Sequence, residues 1–161
     1  MAEGKFPEAV KVFQRLVESD PNNHVAIHGI GLCQQRLGDP DAALKHLRKA
    51  IRLAPEDATY HNSLGAVLSH QDNHYKAATS FRKAIKLDPD FAEAHQNLAR
   101  SLQSQGRLQA ASDSYREALR LEPDNRGCRL RLAGLLLMTR DVREAQKEFR
   151  EILHAERENF R

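Results

Sequence analysis

The chain has 161 residues, of which 25 are Lys or Arg and 22 are Asp or Glu, so its formal net charge is +3. Basic and acidic residues are interspersed, with no basic run of five, which argues against nucleic-acid binding. The longest nearly uncharged apolar run covers residues 132–138, far short of the roughly 20 residues that a membrane-spanning helix needs. Ala, Leu, Arg, Lys and Glu dominate, and the chain is therefore predicted to be all-α.

Four prolines divide the chain into rows of equal length. They lie 34 residues apart, and each follows a stretch rich in helix-forming residues: Pro21, Pro55, Pro89 and Pro123. A proline has no N–H to donate and disfavours the α conformation in the residue before it. Each proline is therefore predicted to end a helix at a fixed place. The first row, which begins at Met1, has room for one helix before its proline.

The second row shows how each complete row is built. A helix is predicted from about His24 to Leu37, and Gly38 ends it. A second helix then begins with Asp39 as its N-cap and Pro40 as its first helical residue. Each complete row is thus predicted to be a helical hairpin.

The turn between the two helices of a hairpin recurs in the other rows. Glycine marks it at Gly4 in the first row and at Gly106 in the fourth. Asp72 and Arg140 take the place of that glycine in the third and fifth rows, so the turn is less clearly indicated there.

Other columns of the rows also agree. An alanine recurs in all five, at Ala9, Ala43, Ala77, Ala111 and Ala145. Four residues after each alanine comes a large apolar or aromatic residue: Phe13, Leu47, Phe81, Tyr115 and Phe149. An apolar residue precedes a small one in the first helix of each hairpin, at Ile30–Gly31, Leu64–Gly65, Leu98–Ala99 and Leu132–Ala133. Small side chains let two helices approach closely, and large ones fill the adjacent groove.

A 34-residue row with these columns resembles the tetratricopeptide repeat (TPR) family, and the resemblance covers essentially the whole chain. It implies a right-handed α-solenoid of 34-residue helix-turn-helix repeats, with about nine helices. The predicted single array consists of a half repeat at residues 1–23, full repeats at 24–57, 58–91 and 92–125, and a last repeat at 126–161 with an extended final helix.

Both ends of the array are predicted to leave apolar residues uncovered. No helix precedes the stripe on the first helix, formed by Phe6, Val10, Phe13 and Val17. No helix follows Phe149, Ile152 and Leu153, and Arg157 stands where a proline is expected, so the last helix should continue toward Phe160. Either the chain is a segment of a longer protein, or its uncapped ends form a homo-oligomer. Such an oligomer would be weak, because the free energy gained by burying an apolar end only modestly exceeds the free-energy cost of association.

The resemblance implies that the first helices line a concave groove. The predicted peptide-binding groove consists of His28, Gln35, Arg36, Asn62, Ser63, Ser69, His70, Gln96, Asn97, Arg100, Gln103 and Arg131. Beyond these the lining becomes apolar, at Leu130, Leu137 and Met138. Amides, hydroxyls and imidazoles can both donate to and accept from a peptide backbone. Because the three arginines can pair with carboxylates, the predicted partner is a protein or peptide, in particular an acidic one.

A sharper possibility within the family is the clamp that holds the C-terminal carboxylate of chaperones. Its five positions correspond here to Asn62, Ala66, Asn97, Gly127 and Arg131. Two of the five match, and both lysines of the clamp are missing, so this ligand is disfavoured.

The histidines do not indicate a metal site. Two pairs are four residues apart, His24 with His28 and His70 with His74, the spacing that two ligands on one helix would use. No Asp, Glu or Cys completes either set, so we interpret these residues as incidental surface histidines. His61 and His95, in a column where the family has an aromatic residue, are interpreted as packing residues rather than ligands.

No catalytic motif is present. The chain lacks GxSxG, a phosphate-binding glycine loop and HExxH, and Cys33 and Cys128 form no CxxC and are interpreted as buried thiols. We therefore expect no enzymatic activity, cofactor or metal.

The predicted function is a protein–protein interaction scaffold that binds an extended peptide in the concave groove. The alternative is a substrate-recruiting or regulatory segment of a larger enzyme of the glycosyltransferase or sulfotransferase type. The N-terminus does not resemble a secretory signal, which favours the cytoplasm. Because a removed signal would leave no trace in the sequence, the compartment stays open.

Overall fold

The computed structural model describes residues 5–159, and side chains within residues 6–154. Over this range the regular structure consists of nine α-helices without a strand, which confirms the all-α class. In chain order the helices are α1 Lys5–Ser19, α2 His24–Arg36, α3 Pro40–Leu53, α4 Ala58–His70, α5 His74–Leu87, α6 Ala92–Ser104, α7 Leu108–Leu121, α8 Arg126–Met138 and α9 Val142–Asn159. No helix in the described range is both long and apolar enough to cross a membrane.

The helices form two alternating series. The first helices, α2, α4, α6 and α8, begin 34 residues apart, and so do the second helices, α3, α5, α7 and α9. Each first helix packs against the second helix that follows it, and α1 packs against α2. The predicted helical hairpins are therefore present, while the exact repeat boundaries stay a prediction.

Contacts along the chain form two compact units, with the boundary between Pro89 and Asp90. Unit 1 contains α1 to α5, and unit 2 contains α6 to α9.

Unit 1 is held together where a small residue of a first helix faces a large residue of a second helix. A Cβ atom added to Gly65 of α4 would lie only 2.6 Å from the Phe81 ring of α5. A Cβ atom on Gly31 of α2 would lie 3.0 Å from Leu47 of α3. Leu47 and Phe81 are 0% and 1% exposed. The paired columns of small and large residues therefore allow the two helices of each hairpin to pack closely.

The apolar stripe predicted to be uncovered on α1 is in fact half-buried, which corrects the sequence-based expectation for Phe6, Val10, Phe13 and Val17. The Phe13 ring packs over Gly29 of α2, where an added Cβ would lie 2.7 Å away, and Val17 packs beside Ile27. The expectation was wrong because these side chains face the following helix. The large apolar residues that α1 exposes are Val12 and Leu16.

The other end of the array differs less from expectation. Phe149 and Leu153 of α9 are exposed, whereas Ile152 is buried. α9 continues past Arg157 to Asn159, as predicted from the missing proline. Phe160 lies outside the described residues, as does the predicted turn at Gly4.

Unit 2 has an apolar core together with a shielded ion pair. Tyr115, Leu132, Ala111, Ala118 and Ala133 are at most 2% exposed. Between α8 and α9, Nη1 of Arg129 donates to Oε2 of Glu148 at 2.8 Å, and Nη2 donates to the carbonyl of Pro123 at 2.7 Å. Because a shielded charge is costly without a partner, the Glu148 carboxylate stabilises the Arg129 guanidinium between these two helices.

All four described hairpin turns use a residue with positive φ. Gly38 and Gly106 have φ values of 80° and 74°, which confirms the turns predicted at these two residues. Asp72 and Arg140 adopt the same left-handed conformation, with φ values of 56° and 64°. The turn therefore keeps its geometry where the glycine is absent. The left-handed conformation costs less free energy for Asp72, whose short polar side chain can form local hydrogen bonds, than for Arg140.

The helix ends agree with the signals in the sequence. The Asp39 side chain accepts a hydrogen bond from the Ala42 amide at 3.0 Å, and Pro40 begins α3. α1, α3, α5 and α7 each end two residues before a proline. The prolines therefore end these helices at the predicted places.

Candidate functional site

The predicted groove residues of unit 1 lie on α2 and α4, and their exposure varies widely. Arg36 and His70 are exposed, and His28, Gln35 and Ser69 are half-buried. Asn62 and Ser63 are only 4% and 9% exposed. These two residues therefore present little surface to a ligand, and their assignment to the groove stays a prediction.

A cluster of aromatic rings joins α2 to α4. His28 lies against Tyr60 with ring centroids 4.4 Å apart, and His24 meets the same ring edge-on at 5.8 Å. A 2.8 Å hydrogen bond joins His24 Nδ1 and the Tyr60 hydroxyl, and a 2.9 Å hydrogen bond joins His28 Nε2 and Ser63 Oγ. His24 and His28 are thus packing residues, which corrects their interpretation as incidental surface histidines.

Burial controls the ionisation of His28 and Tyr60. It lowers the pKa of His28, although the nearby Asp57 carboxylate acts in the opposite direction. Burial also raises the pKa of Tyr60, and Asp57 adds to that effect. The imidazole and the phenol are therefore both held in their neutral forms.

The second histidine pair is not brought to one site. Ser69 Oγ lies 3.5 Å from His74 Nδ1, and His74 Nε2 lies 3.8 Å from the Asp72 carboxylate in the turn. His70 is exposed on the last turn of α4. In the described residues, no group of three or more His, Cys, Asp or Glu side chains could hold a metal ion.

In unit 2 the predicted groove residues lie on α6 and α8. Gln96 Oε1 accepts a hydrogen bond from Asn125 Nδ2 at 3.3 Å, and Asn97 Nδ2 donates to Glu93 at 3.4 Å. Arg100 is exposed. These contacts position the amides within the unit and leave the guanidinium in solvent.

The Tyr115 side chain brings several of these residues together. Its hydroxyl donates to Gln103 Oε1 at 3.4 Å, although the residue itself is fully buried. Burial raises the pKa of Tyr115, and Arg131 and Arg100 lie close enough to oppose that rise. Two arginines from different helices therefore lie near one buried hydroxyl. The sequence indicates a core position for Tyr115 but not the partner of its hydroxyl, because that partner is set by the packing of α6 on α7.

An apolar surface adjoins the arginines on α8. Leu130, Leu137 and Met138 are 44%, 48% and 62% exposed. Gln103 Nε2 lies 4.0 Å from Met138 Sδ, which connects this surface to α6. Gly134 lies between the leucines, and a Cβ added there would meet no atom within 4 Å. The sequence predicted the three apolar residues but gave no sign of the open space at Gly134.

The cysteines are free and buried, as expected. Burial raises the pKa of Cys33, and it raises that of Cys128 to about 11. The Cys128 thiol donates to the Tyr115 carbonyl at 3.6 Å. A thiol with a raised pKa has little thiolate at neutral pH and is a poor nucleophile.

Hairpins of small-on-large packing that begin every 34 residues define a tetratricopeptide repeat protein with an α-solenoid fold. Residues 1–159 match the model of the family described as the cilia and flagella-associated protein 70 C-terminal domain. The chain belongs to that family.

Solved TPR structures share the fold. MamA superposes with a TM-score of 0.88 and 23% identity, over 98% of this chain and 92% of MamA. PilF from Pseudomonas aeruginosa gives a TM-score of 0.87 and 22% identity, over 94% of this chain and 69% of the other. YrrB, described as a TPR protein with an unusual peptide-binding site, gives a TM-score of 0.75 and 18% identity, over 92% of this chain and 76% of YrrB. At these identities the likeness concerns the fold alone. No curated protein sequence matches the chain.

Proposed function

We propose that this chain is a non-catalytic protein–protein interaction scaffold that binds an extended peptide segment through the faces of its first helices. The observation that carries the proposal is the chemistry of those faces in both units. His28, Gln35, Gln96 and Gln103 are half-buried, so each has part of its side chain in contact with solvent and part held by the fold. Amides and imidazoles held in this way can both donate to and accept from a peptide backbone.

Two comparisons support this proposal by analogy. TPR folds are interaction scaffolds in general, and the YrrB structure is described as having a peptide-binding site. The matching family is named for a cilia and flagella-associated protein, which favours a scaffold over the alternative of a recruiting segment in a larger enzyme. On the same ground we propose that the scaffold acts in a cilium or flagellum.

Peptide selection followed by calorimetry tests the proposal. Peptides selected from a random displayed library should bind the wild-type chain. The combined Asn97→Ala and Arg131→Ala variant should bind them about tenfold more weakly, because it removes one amide and one charged donor from the first-helix faces.

The control variant carries the same two kinds of change on α9. Gln146 and Arg150 are exposed there, so Gln146→Ala combined with Arg150→Ala should bind like the wild type. Failure to select any peptide, or loss of binding in the α9 variant alone, would argue against first-helix recognition.

We further propose weak self-association through the ends of the array. Val12 and Leu16 on α1, and Phe149 and Leu153 on α9, are exposed apolar residues. Since this surface is small, association should need high protein concentration. Light scattering should detect a mass that rises with concentration and a Leu16→Glu, Leu153→Glu variant that stays monomeric. A wild-type chain that is monomeric at every concentration would contradict the proposal.

A further inference from the structure

Arg100 and Arg131 are among the arginines of unit 2 for which the described residues provide no acidic partner. Three other arginines of the unit are paired: Arg116 with Glu144 at 2.7 Å, Arg120 with Glu117 at 2.8 Å, and Arg129 with Glu148. In the part of the chain that the structure describes, neither Arg100 nor Arg131 has a carboxylate within ion-pair distance. Both are exposed, so an external carboxylate can reach them.

Beside these cations lies a continuous apolar surface, which we call the α8 shelf and define by Leu130, Gly134, Leu137 and Met138. These residues are spaced by four, three and one along α8 and so share one face of the helix. The three large side chains are 44–62% exposed. Because Gly134 has no side chain and open space above it, the shelf has a depression between its two leucines.

The cations and the shelf adjoin one another. Arg131 follows Leu130 on α8, while Arg100 and Gln103 lie three residues apart on α6 and therefore share a helix face. The 4.0 Å approach of Gln103 Nε2 to Met138 Sδ joins that face of α6 to the shelf. The hydroxyl of the buried Tyr115 donates a hydrogen bond to Gln103 Oε1 at 3.4 Å and so holds the Gln103 side chain in place. A ligand on the shelf would thus have guanidinium groups within reach of its polar side chains.

We propose that the α8 shelf, Arg100 and Arg131 bind a segment of a partner protein in which an acidic side chain lies next to aliphatic side chains. The aliphatic side chains would cover the shelf and fill the depression at Gly134. The carboxylate would accept hydrogen bonds from the guanidiniums, which are suited to two-point contact with carboxylates. This inference rests on the proposed function and specifies its ligand in unit 2.

The shape requirement is tested at Gly134. Gly134→Leu places a side chain in the depression without a clash at Cβ, and leucine favours the helix, so the variant should fold. The probe is a capped, fluorescein-labelled peptide with one glutamate between two leucines in a Gly/Ser background. We expect its affinity, measured by fluorescence anisotropy, to fall at least about tenfold in Gly134→Leu. Gly134→Ala, which fills less of the space, should have a smaller effect.

The charge requirement is tested with a matched pair of double variants. Arg100→Gln with Arg131→Gln should weaken binding of the glutamate peptide at least about tenfold. Arg143→Gln with Arg150→Gln makes the same charge change on exposed residues of α9 and should leave the affinity unchanged. A peptide with glutamine in place of glutamate should bind the wild type weakly and should be insensitive to either double variant.

Other outcomes would overturn the inference. Equal binding of the glutamate and glutamine peptides, or equal loss in both arginine double variants, would remove the role of the two cations. Tighter binding of a peptide with a free C-terminal carboxylate or a phosphoserine than of the peptide with the internal glutamate would show that the site takes a different class of ligand. If library-selected peptides bind the first helices but lack acidic and aliphatic neighbours, this inference fails while the proposed function stands. If no peptide binds, the proposed function fails as well.

Discussion

The close approach of α4 to α5 gives the sharpest prediction for stability. In Gly65→Ala the new Cβ atom would lie 2.6, 2.8 and 2.9 Å from three atoms of the Phe81 ring. Because Phe81 is only 1% exposed, its ring cannot turn into solvent to relieve the contact. The two helices must therefore move apart or the ring must leave its preferred rotamer.

The magnitude follows from two opposing effects. Alanine favours the helical conformation over glycine by about 1 kcal/mol, which stabilises the variant. Adding a methyl group to a packed interior costs about 1–3 kcal/mol. With a contact this short we expect the cost to prevail, so that Gly65→Ala lowers the free energy of unfolding by about 1 kcal/mol.

Gly134→Ala is the matched control, because it makes the same chemical change on a first helix where an added Cβ meets nothing within 4 Å. It should raise the free energy of unfolding by about 1 kcal/mol. The two variants should thus differ by about 2 kcal/mol in urea unfolding followed by far-ultraviolet circular dichroism. Amide exchange in α4 and α5 should be faster in Gly65→Ala only.

Two results would refute the reasoning. One is a Gly65→Ala variant as stable as Gly134→Ala, which would mean that Phe81 does not limit the approach of the helices. The other concerns the rescue variant, in which Phe81→Leu removes the ring that causes the clash. Combined with Gly65→Ala it should cost less than the sum of the single changes, and strict additivity would show that the residues do not interact.

Three further predictions concern charge and backbone strain. Because burial lowers the pKa of His28 against the opposing effect of Asp57, the folded chain holds this imidazole neutral, and the free energy of unfolding should fall as the pH drops below about 6.5. His28→Gln should flatten that dependence in urea unfolding at pH 5 to 8, and an unchanged slope would exclude His28 as its cause. Arg140→Gly should raise the free energy of unfolding by about 1 kcal/mol, because it relieves a left-handed residue with φ 64°; a lower melting temperature would contradict this. Glu148→Gln should lower the free energy of unfolding by about 2 kcal/mol, since it leaves the shielded Arg129 without its carboxylate, and a neutral result would mean that solvent already screens the pair.

Much of the fold could be predicted because its signals are local and periodic. The spacing of the prolines fixes where α1, α3, α5 and α7 end, since a missing N–H acts on the adjacent turn. Asp39 and Pro40 fix where α3 begins. The glycine turn was predicted less clearly at Asp72 and Arg140, because there the packing of the two helices imposes a conformation that the residue itself disfavours.

The candidate site was harder to predict because it depends on contacts between helices. The sequence shows that His28 and Ser63 are polar, but not that they bond to each other or that Tyr60 covers His28. Likewise, the direction in which Phe13 points on α1 depends on the close approach of α2 at Gly29. Side-chain burial of this kind follows from tertiary packing, which a single row of the repeat does not determine.

Chemical-shift mapping would test the central claim most directly. The isotopically labelled chain is titrated with a library-selected peptide, and amide shifts are followed along all nine described helices. We predict that the largest changes fall on the first helices, and in unit 2 on α6 and α8 around Arg100, Arg131 and Gly134. Saturable changes confined to the second helices, α3, α5, α7 and α9, would contradict the claim that the first-helix faces recognise the ligand.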